Sequence, residues 1–335
     1  MTASTIAVVG AGLAGLTCAR ALTAAGHTVR VFDKARGPGG RMSTRRDDTE
    51  RAMTFDHGAQ FFTARDPAFA LEVERWRAAG HVDAWGGRIV RWGAEAEPEV
   101  APGTRFVGVP TMNAPLKALA ADLSVRYDVR VASVRRAPAG WALQDDAGAA
   151  LGVFDRVALA VPGPQAIPLA AGSEAVRSAA ERIVYAPCWA VMARFDTRLA
   201  APFDAAFIEE RGGSALGFVA RDSSKPGRAA GERWVLHGGP VWSATVLEAT
   251  REEVVSQLFD AFGALLGGLF RAPVSATAHR WRYALPTTLY PGSCAYDAQA
   301  GLGLCGDGCQ SARVEGAFLS GRALAAAIEA DLRRS

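Results

Sequence analysis

A chain of 335 residues is long enough for two domains or one large one, and half of it is apolar, enough for a sizeable core. The net charge is only +3 and the basic residues are nearly all arginine, the lysines being Lys34, Lys117 and Lys225; without a long basic run interleaved with aromatics, the composition argues against a nucleic-acid partner. The apolar runs fall far short of a membrane span, and the opening MTASTIAVVG has neither a basic n-region nor a cleavage site, so no membrane partner is expected and the cytoplasm is the expected location.

Residues 5–10, TIAVVG, read as a buried parallel strand. Residues 13–25 carry Leu13, Leu16, Ala19, Leu22 and Ala24 at helical spacing, and Gly26 is a natural stop. Residues 28–33, TVRVFD, are a second strand, closing a β-α-β unit. A helix is predicted over 67–79 with Pro67 at its start, and another over 113–123 with Asn113 as its N-cap. Residues 125–155 alternate like antiparallel strands, and 156–162 read as a buried strand. From about 165 to 290 the runs CWAVMARF, AAFIEE, ERWVLHGG and ATAHRWRY predict an antiparallel sheet, with a helix near 247–266 covering one face. RDSSKPGRAAGER, 221–233, reads as a flexible loop. GLGLCGD at 301–307 resumes the buried-strand pattern, and an Ala-rich helix over 313–332 follows. Cys18, Cys188, Cys294, Cys305 and Cys309 lack metal-ligand spacing, so free, mostly buried thiols and no metal site are expected.

VVGAGLAGL places Gly10, Gly12 and Gly15 in G-x-G-x-x-G spacing, with a strand before, a helix after and Asp33 at the end of the next strand. Gly10 permits the tight turn, Gly12 lets the backbone approach a pyrophosphate, and Gly15 lets the helix pack on the sheet. The helix N-terminus offers unpaired N–H groups to the phosphates, and Asp33 accepts from the hydroxyls of a ribose. In VFDKARGPGGRMSTRR, 31–46, Arg41 follows that carboxylate on a Gly-rich turn and is predicted to fold back beside the pyrophosphate. A plain nicotinamide dehydrogenase has no need of this addition. The D-K-x-x-x-x-G-G-R run resembles the FAD-binding domains of the flavoproteins that include amine oxidases and phytoene desaturases. CGDGCQSARVEGAFLSG, 305–321, supplies a second signal, with Asp307 at a strand end before small residues and a helix. In that group the equivalent acid lies near the ribityl–pyrophosphate region and the helix points its N-terminus at the flavin, where it stabilises negative charge by about 0.3–2 kcal/mol.

The predicted class is therefore α/β: a Rossmann-type, doubly wound FAD-binding domain (1–60, 105–164 and 295–335) with an inserted, mainly antiparallel β substrate domain (61–104 and 165–294). The ordered motifs FDKARGPGGRMSTRR, FDHGAQFFTARDPAF, YAPCWAVMARF, SKPGR, WVLH, AHRWRYALP and CGDGCQSARVEGAFLSG resemble the bacterial renalase family over essentially the whole chain. The resemblance implies noncovalent FAD and oxidation of the 2- and 6-dihydro isomers of NAD(P)H to NAD(P)+, with dioxygen as acceptor and hydrogen peroxide as product. It carries cofactor contacts onto Gly12, Leu13, Asp33, Lys34 and Arg41, onto Ala59, Gln60 and Val131, and onto Asp307 and Val314. It places Phe61, Phe62, Thr63, Ala64, Arg65, Trp189 and His279 around the substrate ring, with His279 as the catalytic candidate. Two departures stand out: Gly308 replaces the usual Trp after the CGD acid, and LPTTLYPGSCAYD, 285–297, matches poorly. Gly308 predicts an enlarged pocket.

Hydride transfer from a dihydropyridine needs no general base; it needs stacking and alignment, which aromatic walls and a few polar groups supply. Three alternatives stay open. A flavin amine oxidase often uses a lysine near the flavin; here only Lys117 and Lys225 lie outside the nucleotide turn. An aromatic-ring monooxygenase would consume NADPH, and a flavin-bound sensor would have a blocked pocket. His57 reads as structural.

Overall fold

The computed structural model describes residues 3–47, 53–92, 99–209 and 214–334. The helices that frame the site are α1 (Leu13–Ala24), α2 (Pro67–Ala78), α3 (Ala114–Ala120), α4 (Arg251–Leu266) and α5 (Val314–Leu332). The nucleotide half is a six-stranded sheet in the order Ala295–Asp297, Leu302–Leu304, Arg156–Leu159, Thr5–Val9, Thr28–Phe32, Ser124–Arg126. All its pairings are parallel except that of the outer Ala295–Asp297 strand. Apolar side chains on both faces of Thr5–Val9 explain its continuous hydrophobic run, because both faces are covered. On one side α1 and α5 pack so closely that a Cβ at Gly321 would lie 2.2 Å from the Ala14 carbonyl oxygen. On the other lies an antiparallel sheet of Val131–Ala137, Gly140–Asp145 and Ala150–Phe154, whose Trp141 and Leu143 pack with Ala7, Val9 and Phe32. The start of the alternating stretch departs from expectation: Ser124–Arg126 is a parallel edge strand of the main sheet.

The second sheet has seven strands, in the order Ser275–Thr288, Val184–Phe195, Glu232–Gly238, Leu216–Arg221, Ala205–Ile208, Ile89–Trp92, Glu99–Val100. Its pairings are antiparallel except that between Ala205–Ile208 and Ile89–Trp92. Helix α4 starts in a capping box between Thr250 and Glu253 and buries Val254, Leu258, Phe262 and Leu266 against one face. The opposite face turns toward the nucleotide half. No helix among the described residues is long and apolar enough to cross a membrane.

Three expectations change. The boundary at residue 61 cuts through a shared core, since Phe62, Phe69, Val73 and Trp76 pack in one cluster with Leu13, Leu16 and Phe318. Asn113 precedes α3 but does not cap it by side chain; it accepts from Thr111 at 2.8 Å instead. The stretch 221–233 is no flexible loop: Arg221, Asp222, Lys225 and Arg233 are all buried, with Arg221 donating to the Leu199 carbonyl, Asp222 and Lys225 bonded to Asp56, and Arg233 held by the Ala229 and Ala230 carbonyls.

Candidate active site

At the first turn, each glycine has its own reason. A Cβ at Gly10 would sit 2.5 Å from the Ala160 carbonyl oxygen, and one at Gly15 would sit 2.0 Å from that of Gly10. A Cβ at Gly12 would meet nothing within 4 Å. Gly10 and Gly15 are thus required by packing, whereas Gly12 borders open space at the N-terminus of α1. That terminus, led by the buried Leu13, has no side-chain cap and no acid in its first turn. Asp33 is fixed over the turn, accepting from the Ala11 amide at 2.5 Å and the Ala35 amide at 2.7 Å. Beside it, burial, reinforced by Arg130 and opposed by Asp33, holds the Lys34 ammonium below its ordinary pKa. Val131 is buried at the start of the covering sheet.

The glycines after Asp33 carry the chain back over this turn. The Gly39 amide donates to the Ala11 carbonyl at 3.1 Å, and Gly40 (φ +53°) approaches the Gly12 Cα. Arg41 then makes a bidentate pair with Asp307, both bonds 2.6 Å, and donates to the Ala284 carbonyl at 3.2 Å. Burial opposes its charge, but the Asp307 carboxylate outweighs burial and raises the Arg41 pKa. Two residues assigned separately to the cofactor are therefore each other's partners across 266 positions. Just before Asp307, a Cβ at Gly306 would again meet open space. Val314 opens α5 with no side-chain cap, and Glu315 turns aside to accept from the Arg65 and Asp66 amides at 2.6 and 2.7 Å. Open space at Gly12 and Gly306, two uncapped N-termini of long helices, and a paired guanidinium fit an extended diphosphate-bearing cofactor.

The turn at 56–60 is clamped by a buried knot of charge. Asp56 accepts from the Thr44 hydroxyl at 2.7 Å, the Met112 amide at 3.0 Å and Lys225 at 3.3 Å, and pairs closely with Arg228. Lys225 also reaches Asp222 at 2.7 Å and Gln60 at 3.0 Å. Burial alone would push the Asp56 pKa up; Lys225 and Arg228 overcome it and hold the carboxyl well below the usual range. The Ala59 amide donates to the Arg41 carbonyl at 2.8 Å, locking this turn to the Gly-rich one. The Gln60 side chain faces the knot, donating to the Asp56 and Gly58 carbonyls, so any cofactor contact it makes comes from its backbone.

Next to this turn the second sheet presents His237, His279 and Trp281. The His57 carbonyl accepts from Trp281 at 2.9 Å and lies 3.2 Å from the His237 Nε2. The His57 ring stands 4.8 Å from that of His279 and 4.9 Å from that of Trp281, and its buried Nδ1 has no hydrogen-bond partner. Burial pushes His57 down to about 3, and His237 and His279 to about 4. All three are neutral imidazoles near pH 7. Phe61 lies against Phe207 and Phe218, each 6.0 Å away.

Residues 95–329 match the family model described as flavin containing amine oxidoreductase, and residues 8–72 match that of an NAD(P)-binding Rossmann-like domain. The chain belongs to the flavin-containing amine oxidoreductase family. Like this family it is a flavin-dependent oxidoreductase, and its cofactor is FAD. Among solved structures, an Exiguobacterium sp. 255-15 protein described provisionally as a protoporphyrinogen oxidase is similar at 13% identity and TM-score 0.80, covering 98% of this chain and 99% of that one. A putrescine oxidase triple variant is similar at 15% identity and TM-score 0.73, covering 99% of each chain. Cyclohexylamine oxidase from Brevibacterium oxydans IH-35A is similar at 13% identity and TM-score 0.76, covering 99% of this chain and 100% of that one. At such identities the likeness is one of fold.

Within this amine oxidoreductase fold, Gly10, Gly12, Leu13, Gly15, Asp33, Arg41, Ala59 and Asp307 converge around the first turn, while on the adjoining sheet face His279 stands beside His57 and Phe61 lies several strands away against Phe207 and Phe218. Other expected residues do not join them. Trp189 points to the opposite face: its indole donates to the Val246 carbonyl at 3.0 Å, and it packs in the core beneath α4. Phe62 is a core residue against Phe69, Trp76 and Phe106. Arg65 is exposed, with only its amide engaged, by Glu315; Thr63 and Ala64 are half-buried in the same connection. Gly308 does not enlarge the pocket, because a Cβ there would meet Ile183 at 2.5 Å and the Tyr185 hydroxyl at 3.0 Å. His237 and the Lys225 knot were missed. Strand alternation in WVLH puts His237 on the face opposite the buried Leu236 and was the available signal for it; nothing local marked the knot. A cleft of about 370 Å³ near Arg20, Trp76 and His81 is lined by none of these site residues.

Proposed function

We propose that the protein is a renalase-like oxidase, converting the 2- and 6-dihydro isomers of NAD(P)H to NAD(P)+ with dioxygen as terminal acceptor. Bound noncovalently, FAD supplies the hydride acceptor, and its reoxidation yields hydrogen peroxide. In this reading the α1 N-terminus, Asp33, the Arg41–Asp307 pair and the α5 N-terminus at Val314 hold the cofactor, with Lys34, Ala59, Gln60 and Val131 at its edges. The regions 1–60, 105–164 and 295–335 serve FAD, and 61–104 with 165–294 serve the substrate, α2 being shared. Phe61 and the neutral His57, His237 and His279 offer a flat, weakly polar face; His279 donates a hydrogen bond to the substrate carboxamide. The observation that supports the reading is the order of the renalase-like motifs along the whole chain, several of which are neighbours: Arg41 pairs with Asp307, the Ala59 amide donates to the Arg41 carbonyl, and His57 stands beside His279. Incubation in air with purified isomers tests it. NAD(P)+ and peroxide should form in equal amounts, and neither should form if the reading is wrong.

A second reading, an amine oxidase, is favoured by the family match and by the fold shared with putrescine and cyclohexylamine oxidases. Against it, Lys225 is engaged by Asp56, Asp222 and Gln60 and is not free to act near a substrate amine.

A further inference from the structure

The register of the second sheet aligns one residue from each of six strands in a single row. Arg91 pairs with Phe207, Phe207 with Phe218, Phe218 with His237, His237 with Ala190, and Ala190 with His279. Cross-strand partners share a face. The neighbouring row, Val90, Ala206, Val219, Leu236, Val191 and Ala278, is buried with α4, so the Arg91–His279 row faces the nucleotide half. It runs from an imidazole end beside His57, across aromatic rings, to a cationic end at the sheet's far side. Arg91 lies three strand spacings, about 14 Å, from His237 and five, about 24 Å, from His279.

The cationic end is double. The Arg91 guanidinium carbon lies 5.4 Å from the Phe207 ring centre, and that of Arg105 lies 5.2 Å from Phe61 and 5.9 Å from Phe207. Arg105 donates through one terminal nitrogen to the Ala101 and Gly103 carbonyls, both at 3.0 Å, while its buried Nε has no partner. Burial, and after it the neighbouring Arg91 charge, lowers the Arg105 pKa. Among the described residues no carboxylate lies within ion-pair distance of either; Glu99 stands opposite Arg91 in register, exposed, without forming a pair. Stacking on aromatic faces fixes a guanidinium without using its N–H groups: the Arg91 fork has no partner among the described residues, and the carbonyl bonds of Arg105 use one terminal nitrogen, so both retain N–H groups for an anion.

We propose that Arg91 and Arg105 form an anion subsite for the diphosphate of a dinucleotide substrate whose nicotinamide lies at the histidine end of the row. This rests on the proposed oxidation of dihydronicotinamide dinucleotides and assigns what holds the rest of that substrate. A nicotinamide–ribose–diphosphate segment is an extended chain that, with its ring beside His237, reaches toward the guanidiniums; a small amine does not. The same two cations repel a protonated amine, so the row selects against the amine-oxidase reading.

The test titrates the FAD-loaded protein with NAD+, followed by the change in the flavin absorbance spectrum. Arg91→Gln, exposed and bonded to no other part of the described chain, is the cleaner variant; Arg105→Gln is the second. Each is expected to raise the NAD+ dissociation constant about tenfold or more, the loss of one charge-assisted contact. Binding of the phosphate-free N-methylnicotinamide cation should not weaken, and salt should weaken NAD+ binding alone. Unchanged NAD+ affinity in both variants overturns the subsite, and the proposed activity survives if dihydro isomers still bleach the wild-type flavin. An effect on NADP+ but not on NAD+ overturns the diphosphate assignment. A wild-type protein that neither binds NAD+ nor is bleached by the isomers removes both the activity and the subsite.

Discussion

Replacing Asp56 with asparagine keeps the shape of the side chain and removes its charge. Of the two cations, whose side chains are both fully buried, Lys225 then keeps only Asp222 as a carboxylate partner, and Arg228 keeps only the Gly108 and Pro226 carbonyls. Breaking a buried ion pair by removing one partner costs about 3–5 kcal/mol. Total stability is only about 5–15 kcal/mol. At roughly 2–4 °C per kcal/mol for a large domain, the melting temperature should fall by about 6–20 °C. Because the folded-state pKa of Asp56 is lowered, its contribution is full above the ordinary carboxylate value near 4 and is lost as pH falls toward the lowered one. The gap between wild type and variant should therefore hold from pH 5 to 7 and shrink below about pH 4. Calorimetry across that range checks both statements. A variant melting within about 2 °C of wild type at pH 7 would refute the reasoning that the knot is a net stabilising clamp.

Asp307→Ala should weaken FAD retention by about one to two decades, more than Asp56→Asn does in the protein that still folds. Comparable FAD dissociation constants would remove the assignment of Asp307, and flavin left in a washed acid pellet would contradict noncovalent binding. Gly12→Ala should fold normally yet bind FAD less tightly, since its methyl enters open space, whereas Gly15→Ala should fold poorly against the Gly10 carbonyl; thermal melts and FAD titration separate the two. His57, His237 and His279 have folded-state pKa values below the ordinary 6.5, so the unfolded chain binds more protons between about pH 4 and 6.5. Stability should fall as pH drops through that window, and His57→Phe should flatten the fall; a denaturant titration series that is level from pH 6.5 to 4 contradicts their burial as neutral rings.

The nucleotide half was legible because its signals are local. A continuous apolar run, three glycines and an acid at the next strand end mark a covered parallel strand and its turn, where a Cβ at Gly10 or Gly15 would meet a carbonyl oxygen and one at Gly12 would meet open space. The knot was not legible. Residues 221–233 have loop composition, and their order comes from pairing with Asp56 nearly 170 positions away. Trp189 was misread because a motif gives its presence in a strand but not which face it takes; the pairing of Trp189 with Arg280, one step from His279, turns it under α4. Gly308 was misread because the volume left by a missing aromatic is filled from another element, by Ile183 and Tyr185. The Arg91–His279 row needs six strands in register, which no sequence window contains.

Rapid mixing under anaerobic conditions tests the central claim most directly, by following the flavin absorbance after mixing with purified 2- and 6-dihydro isomers, ordinary NADH, and a panel of amines. A misplacement near 1 Å between donor carbon and acceptor costs about a hundredfold, so a ring held to present C2 or C6 should react slowly through C4. The account predicts fast bleaching by one or both isomers, reduction by ordinary NADH at least about a hundredfold slower, and none by amines. Fast bleaching by an amine alone, or by ordinary NADH with none by the isomers, would contradict it.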